Sequence, residues 1–339
     1  MYDSGGKHMK WIKKGLNNLS RKEWVDYARA IAIILIVIGH ANAPSKIVRF
    51  LYSFHVQTFF IISGFFLNCD MPFGAFLLKR VKRLLIPYFL AQVGLNVVAH
   101  AIFGANIPLH DVINEAIYSG GVSGHWFVTP LWFLIALFFG QILTFGFFYM
   151  TKKKSNSFRL LISLCIVMIY FVLNKLNIYI RLPFMLDLLP VILFFIVFGK
   201  VYFDEIAKTT ITPVLLLSMI LLTAASIICN ESVNTAIRAF ANPINYMSSS
   251  LLGSICVFFI ARLFERHSLD IIQYIGQHSI LFCIIHPVGF AFAGTIYNIL
   301  VPSIYNSPLV WIANAFISLV FCLFVSIIWD LLKAIAAKF

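Results

Sequence analysis

Long apolar runs alternate with short polar or charged segments along most of this sequence. The length of each run is similar to the length of about 20 residues that an α-helix needs to cross the hydrocarbon core of a bilayer. Turn and charge signals divide the runs into ten candidate spans, which cover residues 27–45, 49–68, 84–104, 126–150, 158–175, 183–203, 211–229, 244–263, 278–299 and 308–332. The pattern predicts an all-α polytopic membrane protein with about ten transmembrane helices.

Composition and charge support the same interpretation. Hydrophobic residues make up 61% of the 339 residues and charged residues only 12%, so a soluble domain could not cover its apolar surface. The formal net charge of +13 could suggest nucleic acid, but Lys and Arg collect in the cytoplasmic loops of membrane proteins. With a cytoplasmic N-terminus, 21 of the 26 basic residues lie inside and 5 outside. We expect both termini in the cytoplasm, a surrounding lipid bilayer and no nucleic-acid partner.

Two regions of the chain are predicted. Residues 1–24 are basic and amphipathic, and no cleavage site follows the first apolar run, so this segment is expected along the cytoplasmic membrane surface. Residues 25–335 form a single transmembrane domain. The six cysteines show no paired spacing, so neither a disulfide nor a metal site is expected.

The first span carries ionisable residues, in the stretch RAIAIILIVIGHANAP at residues 29–44. Arg29 and His40 lie about 20° apart around a helix and about 16 Å apart along it. Asp26 lies one turn before Arg29, so a local ion pair between them is sterically available. Such a polar stripe is expected to face the bundle interior or a wet cavity. The alternative is that Arg29 snorkels to the headgroups and His40 satisfies a neighbouring helix.

The second span provides a candidate partner for His40. His55, in FLYSFHVQTFFIISGFFL, is predicted about two turns below the outer surface, and His40 about one to two turns below it. Two imidazoles can therefore meet at one depth. Burial favours a neutral imidazole, which keeps a lone pair for general-base chemistry. The alternative for His55 is an interhelical hydrogen bond.

These motifs carry a resemblance to a known family. The series EWVDYARAIAIILIVIGHA, FLYSFHVQTFFIISGFFL and FLLKRVKRLLIPYFL resembles the opening of the acyltransferase-3 family of membrane O-acyltransferases, closest to its fucose 4-O-acetylase-like branch. HWFVTPLWFLIALFFG, DLLPVILFFIVFGKVY and IGQHSILFCIIHP resemble later spans of that family, so the resemblance extends from Trp24 to about Pro287. Its most specific part is an arginine, ten residues and a histidine, matched here by Arg29 and His40.

The resemblance implies an integral-membrane enzyme in the cytoplasmic membrane of a bacterial-type cell. Such an enzyme moves an acyl group, usually acetyl from cytoplasmic acetyl-CoA, to a hydroxyl of a cell-surface or lipid-linked glycan. The family's motif links the arginine to the donor and the histidine to catalysis, which implies these roles for Arg29 and His40. A second family signature is matched by Phe76 and Arg80, whereas Ala75 replaces its hydroxyl residue.

Physical chemistry makes the implied roles more concrete. Acetyl-CoA is a polyanion with a thioester at the far end of a flexible arm, so its site needs a basic mouth and a deep slot. The basic cluster in FLLKRVKRLLIPYF could form part of that mouth, but topology alone also requires such a cluster. His40 would remove the proton from the acceptor hydroxyl. The residues predicted to bind the donor are Arg29, Arg80 and Arg83, and the predicted catalytic residues are His40, His55 and Asp26.

The acceptor is expected on the outer side. The predicted outer loop 105–125 contains no Lys or Arg, and it ends at His125 beside Trp126. Polar groups beside an aromatic face suit a sugar, although a Trp at the interface also serves as a membrane anchor. We therefore include His125 and Trp126 among the candidate substrate-binding residues.

Two further polar residues of the spans could bind the acceptor. Asp187 could accept a hydrogen bond from a hydroxyl, or it could pair with Arg181, Arg238 or a backbone group. His286 could face the slot, or it could satisfy the kink at Pro287. Asp187 and His286 complete the predicted substrate-binding set.

Two other classes of function remain open from the sequence. A transporter of a small polar solute such as an amino acid would also place polar residues around a cavity, but it should show internal repeats with broken helices. A non-catalytic assembly subunit would leave the stripe from Arg29 to His40 unexplained.

Overall fold

The structure is a computed structural model that describes residues 22–121, 124, 126–178, 180–229, 233–265, 267, 269–301 and 307–337. Most of the predicted surface segment 1–24 therefore lies outside the described residues. The helices are α1 Glu23–His40, α2 Ser45–Tyr52, α3 His55–Phe65, α4 Phe73–Arg80, α5 Ile86–Phe103, α6 Leu109–Tyr118, α7 Trp132–Met150, α8 Asn156–Lys175, α9 Leu189–Lys208, α10 Pro213–Ile228, α11 Pro243–Phe264, α12 Asp270–Gln277, α13 Ser279–Leu300 and α14 Val310–Ala336. Within the described ranges there is no strand, only an isolated bridge between Asn234 and Ala239.

The predicted fold class is confirmed, since the described chain is helical and eight of its helical stretches are long and apolar enough to cross a membrane. Every predicted span coincides with a helix. Two of these helices are not among the eight: α1 is 18 residues long and carries Glu23, Asp26 and Arg29, and α10 has only 16 residues. The number of ten transmembrane helices therefore stays a prediction, as does the cytoplasmic location of both termini.

Several helix ends differ from those predicted. The second span is not one straight helix from residue 49, because α2 begins at Ser45 and the chain breaks at Ser53 and Phe54 before α3. This break makes His55 the first residue of α3. His40 is the last residue of α1, so both histidines lie at helix ends rather than one or two turns within a helix.

The third span begins earlier than predicted. Helix α4 continues through the π-helical segment Val81–Leu85 into α5, giving one stretch of 31 residues from Phe73 to Phe103. The basic cluster thus lies on the helix itself. The wider π turn also moves Arg83 away from the helix face that it would share with Arg80, three residues earlier, in a regular α-helix.

Helix α1 lies in the middle of the bundle. It packs against α3, α11, α12, α13 and α14, and most of its residues are buried. Close contacts are made where small residues meet backbone: Gly276 of α12 packs against the carbonyl of Asp26. Gly64 of α3 and Gly199 of α9 likewise lie against the other helix's backbone, so the small residues of the IISGFF motif serve packing. The stripe from Arg29 to His40 therefore runs through the protein interior.

Candidate active site

A cavity of about 400 Å³ lies at the C-terminal end of α1, the end predicted to face outside. Its walls come from α1, α2, α3 and α13, from the segment around residues 126–133 and from the short hairpin at residues 234–239. Four predicted site residues line it together: His40, His55, Trp126 and His286. Residues that are far apart in the sequence thus line the same cavity.

His40 and His286 form a hydrogen-bonded pair. Nδ1 of His40 lies 2.9 Å from Nε2 of His286, and the two rings are stacked with centroids 5.1 Å apart. Nδ1 of His286 lies 3.0 Å from the carbonyl oxygen of Phe282. A carbonyl can only accept, so this nitrogen carries the hydrogen, and Nε2 of a neutral His286 must accept from Nδ1–H of His40. In a neutral His40, Nε2 then carries the lone pair that a general base needs.

The backbone around His286 fixes the position of its ring. His286 is fully buried, and Pro287 follows it inside α13. The hydroxyl of Ser318 on α14 donates to the carbonyl oxygen of His286 at 2.9 Å. The ring thus lines the cavity, and the backbone carbonyl of the residue before the proline is held by a neighbouring helix.

His55 lines the same cavity, but it is not the hydrogen-bonded partner of His40. Its Nδ1 donates to the carbonyl of Leu51 in the preceding turn, so this hydrogen bond is local and not the interhelical one that the sequence left open as the alternative. The ring of Tyr52 lies between the two histidines, 5.9 Å from that of His40 and 4.9 Å from that of His55. Sequence reasoning missed Tyr52, which the turn before the helix break places on the cavity wall.

Asp26 and Arg29 form the ion pair that their spacing allows. Arg29 Nη1 donates to Asp26 Oδ1 at 3.0 Å, and the guanidinium lies 5.2 Å from the centroid of Phe66. Asp26 is buried, whereas the side chain of Arg29 is 27% exposed. Asp26 begins the stripe about 20 Å along α1 from His40. The structure therefore places Asp26 beside Arg29 and away from the histidines, which corrects its grouping with the catalytic residues.

The other two predicted donor-binding arginines lie on the continuous helix. Arg80 is half-buried and its guanidinium lies 4.8 Å from the ring centroid of Phe76, the other residue of the second family signature. Its Nε is buried and has no hydrogen-bond partner within the described chain. Arg83 is exposed. Contact with an anionic donor is thus sterically open to both residues.

Asp187 does not line the cavity, and this corrects its interpretation as a direct partner of the acceptor. It lies in the irregular segment before α9, where both of its oxygens are bound by Arg238, at 2.6 Å to Nε and 2.8 Å to Nη2. It also accepts from the backbone N–H of Leu182. The Arg238 pairing was one of the alternatives that the sequence left open.

The hairpin that carries Arg238 also contributes to the cavity. Nη1 of Arg238 donates to the carbonyl of Ala236, and Asn234, Thr235 and Ala236 line the wall opposite α1. Gln57 of α3 holds this wall by donating to Thr235 Oγ1 at 2.9 Å. These contributions could not be predicted from the sequence, because short polar stretches between spans carry no periodic signal.

Trp126 lines the cavity with its side chain half exposed, and its ring lies 4.1 Å from that of Phe127. The predicted binding residue His125 lies outside the described residues. In the part of the chain that the structure describes, no group of three or more His, Cys, Asp or Glu side chains could hold a metal ion.

Comparison with known proteins gives one match. The model of a family described as an acyltransferase domain, Acyl_transf_3, matches residues 22–329. No curated protein and no solved structure matches the chain. The match includes every predicted site residue, and with the membrane-spanning helices it supports a multi-pass membrane acyltransferase. The chain belongs to the acyltransferase-3 family.

Proposed function

We propose that this acyltransferase moves an acetyl group from cytoplasmic acetyl-CoA to a hydroxyl of a cell-surface or lipid-linked glycan, with His40 as the general base. The observation that carries the proposal is the chain of hydrogen bonds from His40 through His286 to the Phe282 carbonyl. This chain fixes the tautomer of His40 and presents its Nε2 as the basic nitrogen.

The proposed reaction is a direct transfer. The acceptor oxygen attacks the thioester carbonyl carbon while its proton passes to Nε2 of His40. The carbon–sulfur bond then breaks, the acetyl group stays on the acceptor oxygen, and the leaving thiolate takes the proton from Nε2. No metal is required for these steps.

His286 supports the charge that forms on His40 during transfer. When Nε2 takes the proton, the imidazolium keeps donating from Nδ1 to Nε2 of His286, which is itself oriented by the Phe282 carbonyl. The arrangement resembles the orienting role of the third residue in a catalytic triad, with a second imidazole and a backbone carbonyl in place of a carboxylate. His55 lines the same cavity, so it would contact the acceptor.

The donor would enter from the cytoplasmic end of α1. Arg29 is partly exposed there, and its separation of about 16 Å from His40 along the helix suits a donor whose phosphates and thioester lie far apart. Arg80 and Arg83 would add positive charge to the same side. The acceptor would use the outer cavity beside Trp126.

The test is label transfer by the purified protein in lipid nanodiscs, given radiolabelled acetyl-CoA and a panel of soluble and lipid-linked glycans. Nanodiscs avoid glycosidic detergents, which would compete as acceptors. The variants are Arg29→Ala and His40→Ala, with His100→Ala as the matched control because His100 is exposed and does not line the cavity. We expect transfer by the wild type and the control and none by His40→Ala. Full transfer by folded His40→Ala would remove the proposed base. Solute flux into proteoliposomes, in a protein that binds no donor in nanodiscs, would favour the transporter.

A further inference from the structure

The walls of the active-site cavity combine apolar and polar groups, but they carry no formal charge among the described residues. None of the side chains that line it is Asp, Glu, Lys or Arg. The polar groups present are the three histidines together with amide and hydroxyl side chains, such as those of Asn42, Asn234 and Thr129. Aromatic rings cover much of the remaining surface, among them Trp126 and Trp132.

The charged residues nearest in sequence to this wall do not line the cavity. Arg238, on the hairpin behind Asn234, is 4% exposed and bound through two nitrogens to Asp187. Arg49 lies on α2 between the lining residues Val48 and Tyr52, but it is not itself among the residues that line the cavity. Neither arginine lines the cavity.

A charged group that entered this cavity would lose water without gaining a counter-ion from the Asp, Glu, Lys or Arg side chains that the structure describes. Burying an unpaired charge is far more costly than burying a hydroxyl that finds hydrogen-bond partners. Hydroxyl groups would find such partners here, since Nε2 of His55 and the amide of Asn234 belong to lining residues. The aromatic rings suit the apolar face of a sugar.

We infer that the cavity selects an uncharged acceptor and an uncharged acyl group. The acceptor is a neutral sugar rather than a uronic acid or phosphosugar, and the transferred acyl group is acetyl rather than succinyl. The inference rests on the proposed function, because it assumes that both the acceptor hydroxyl and the acyl carbon meet at His40. It narrows the acceptor class by charge.

Binding of the acceptor is measured first, in a way that does not depend on catalysis. Radiolabelled methyl β-glucoside and methyl β-glucuronide, which differ by one carboxylate, are bound to wild-type protein in nanodiscs. We expect the glucoside to bind at least about 10-fold more tightly, by the cost of burying an unpaired carboxylate. Equal or tighter binding of the glucuronide would overturn the inference.

The donor is compared next, with acetyl-CoA and succinyl-CoA at equal concentrations and the glucoside as acceptor. We expect acetyl transfer to exceed succinyl transfer by about 100-fold, because the succinyl carboxylate would lie in the cavity without a counter-ion. Comparable succinyl transfer would overturn the inference. If neither donor reacts while the glucoside still binds selectively, the proposed function fails and the selectivity of the cavity stands.

A variant separates charge from shape. Val48→Lys places an ammonium on the wall, and Leu109→Lys places the same charge at an exposed residue that does not line the cavity. Val48→Lys should reduce the preference for the glucoside at least about fivefold, whereas Leu109→Lys should leave it unchanged. A preference unaffected by Val48→Lys would show that charge does not set it.

Discussion

Among the described residues, two Asp–Arg pairs lie near opposite ends of the protein interior, and they differ in exposure and geometry. Asp187 and Arg238 are 5% and 1% exposed in their side chains and are joined by two short hydrogen bonds. Asp26 and Arg29 belong to one turn of α1, and Arg29 remains 27% exposed. The Asp187–Arg238 pair, here called the outer pair, joins two distant segments of the chain. The Asp26–Arg29 pair, here called the inner pair, lies within one helical turn.

This difference indicates that the two Asp–Arg pairs have different roles. The outer pair cancels its own charge behind the cavity wall, so it stabilises the wall and leaves the cavity uncharged. The inner pair fixes the aspartate, while the side chain of the arginine stays partly exposed. Position and exposure therefore separate a structural arginine from a candidate donor-binding arginine.

The largest expected effect is a loss of stability when the outer pair is broken. Arg238→Ala leaves Asp187 buried without its partner, which should cost about 3–5 kcal/mol of stability. We expect a lower apparent melting temperature in nanodiscs and an unchanged KM for acetyl-CoA in the protein that remains folded. A raised donor KM with unchanged stability would contradict the structural role.

The next effect concerns the uncharged histidine pair of the outer cavity. His286→Ala should lower kcat by about 100-fold, because His40 loses the group that fixes its tautomer and supports its imidazolium form. His286→Gln offers an acceptor oxygen in place of Nε2 and should recover part of the rate. Equal rates for the two variants would argue against an orienting hydrogen bond.

A smaller effect is expected for the inner pair. The double change Asp26→Asn and Arg29→Gln removes both charges without leaving a buried carboxylate unpaired. It should raise the KM for acetyl-CoA about 10-fold, the value of one charge-assisted contact, while kcat changes less. Steady-state kinetics with acetyl-CoA as the varied substrate measures this, and a change confined to the acceptor KM would contradict a donor role for Arg29.

The smallest effect is expected at the exposed cytoplasmic arginine. Arg83→Gln should raise the donor KM about twofold to threefold, because a single solvent-exposed charge contributes little and is screened by salt. The shift should disappear at high ionic strength. A salt-independent loss of kcat would instead place Arg83 in the chemistry.

Much of the fold could be predicted from the sequence because long apolar runs have one dominant solution in a bilayer. Each predicted span is helical, the second one as two helices, and the local ion pair of Asp26 and Arg29 follows from their spacing. The break between α2 and α3 was missed because Ser53 satisfies the chain locally, donating to the Arg49 carbonyl, and its neighbours are apolar. The π turn was missed because it leaves no compositional mark.

The site was predicted in its parts rather than in its pairing. Four of the lining residues could be selected from the sequence, because ionisable or aromatic side chains in or beside an apolar span suggest a function: His40, His55, Trp126 and His286. The partnership of His40 with His286 joins residues 246 positions apart, and no periodicity reports such a contact. The same holds for Asn234 and its neighbours, which reach the cavity through a short hairpin.

The most direct test of the central claim is the single-turnover rate of acetyl transfer by His40→Asn beside the wild type. Asparagine retains an N–H donor near the position of Nδ1, so the hydrogen bond to His286 is kept while the basic Nε2 is removed. If His40 is the base, the rate falls by about 1,000-fold with unchanged donor binding and unchanged melting temperature. A rate within a few-fold of the wild type would contradict the role of His40 as the catalytic base.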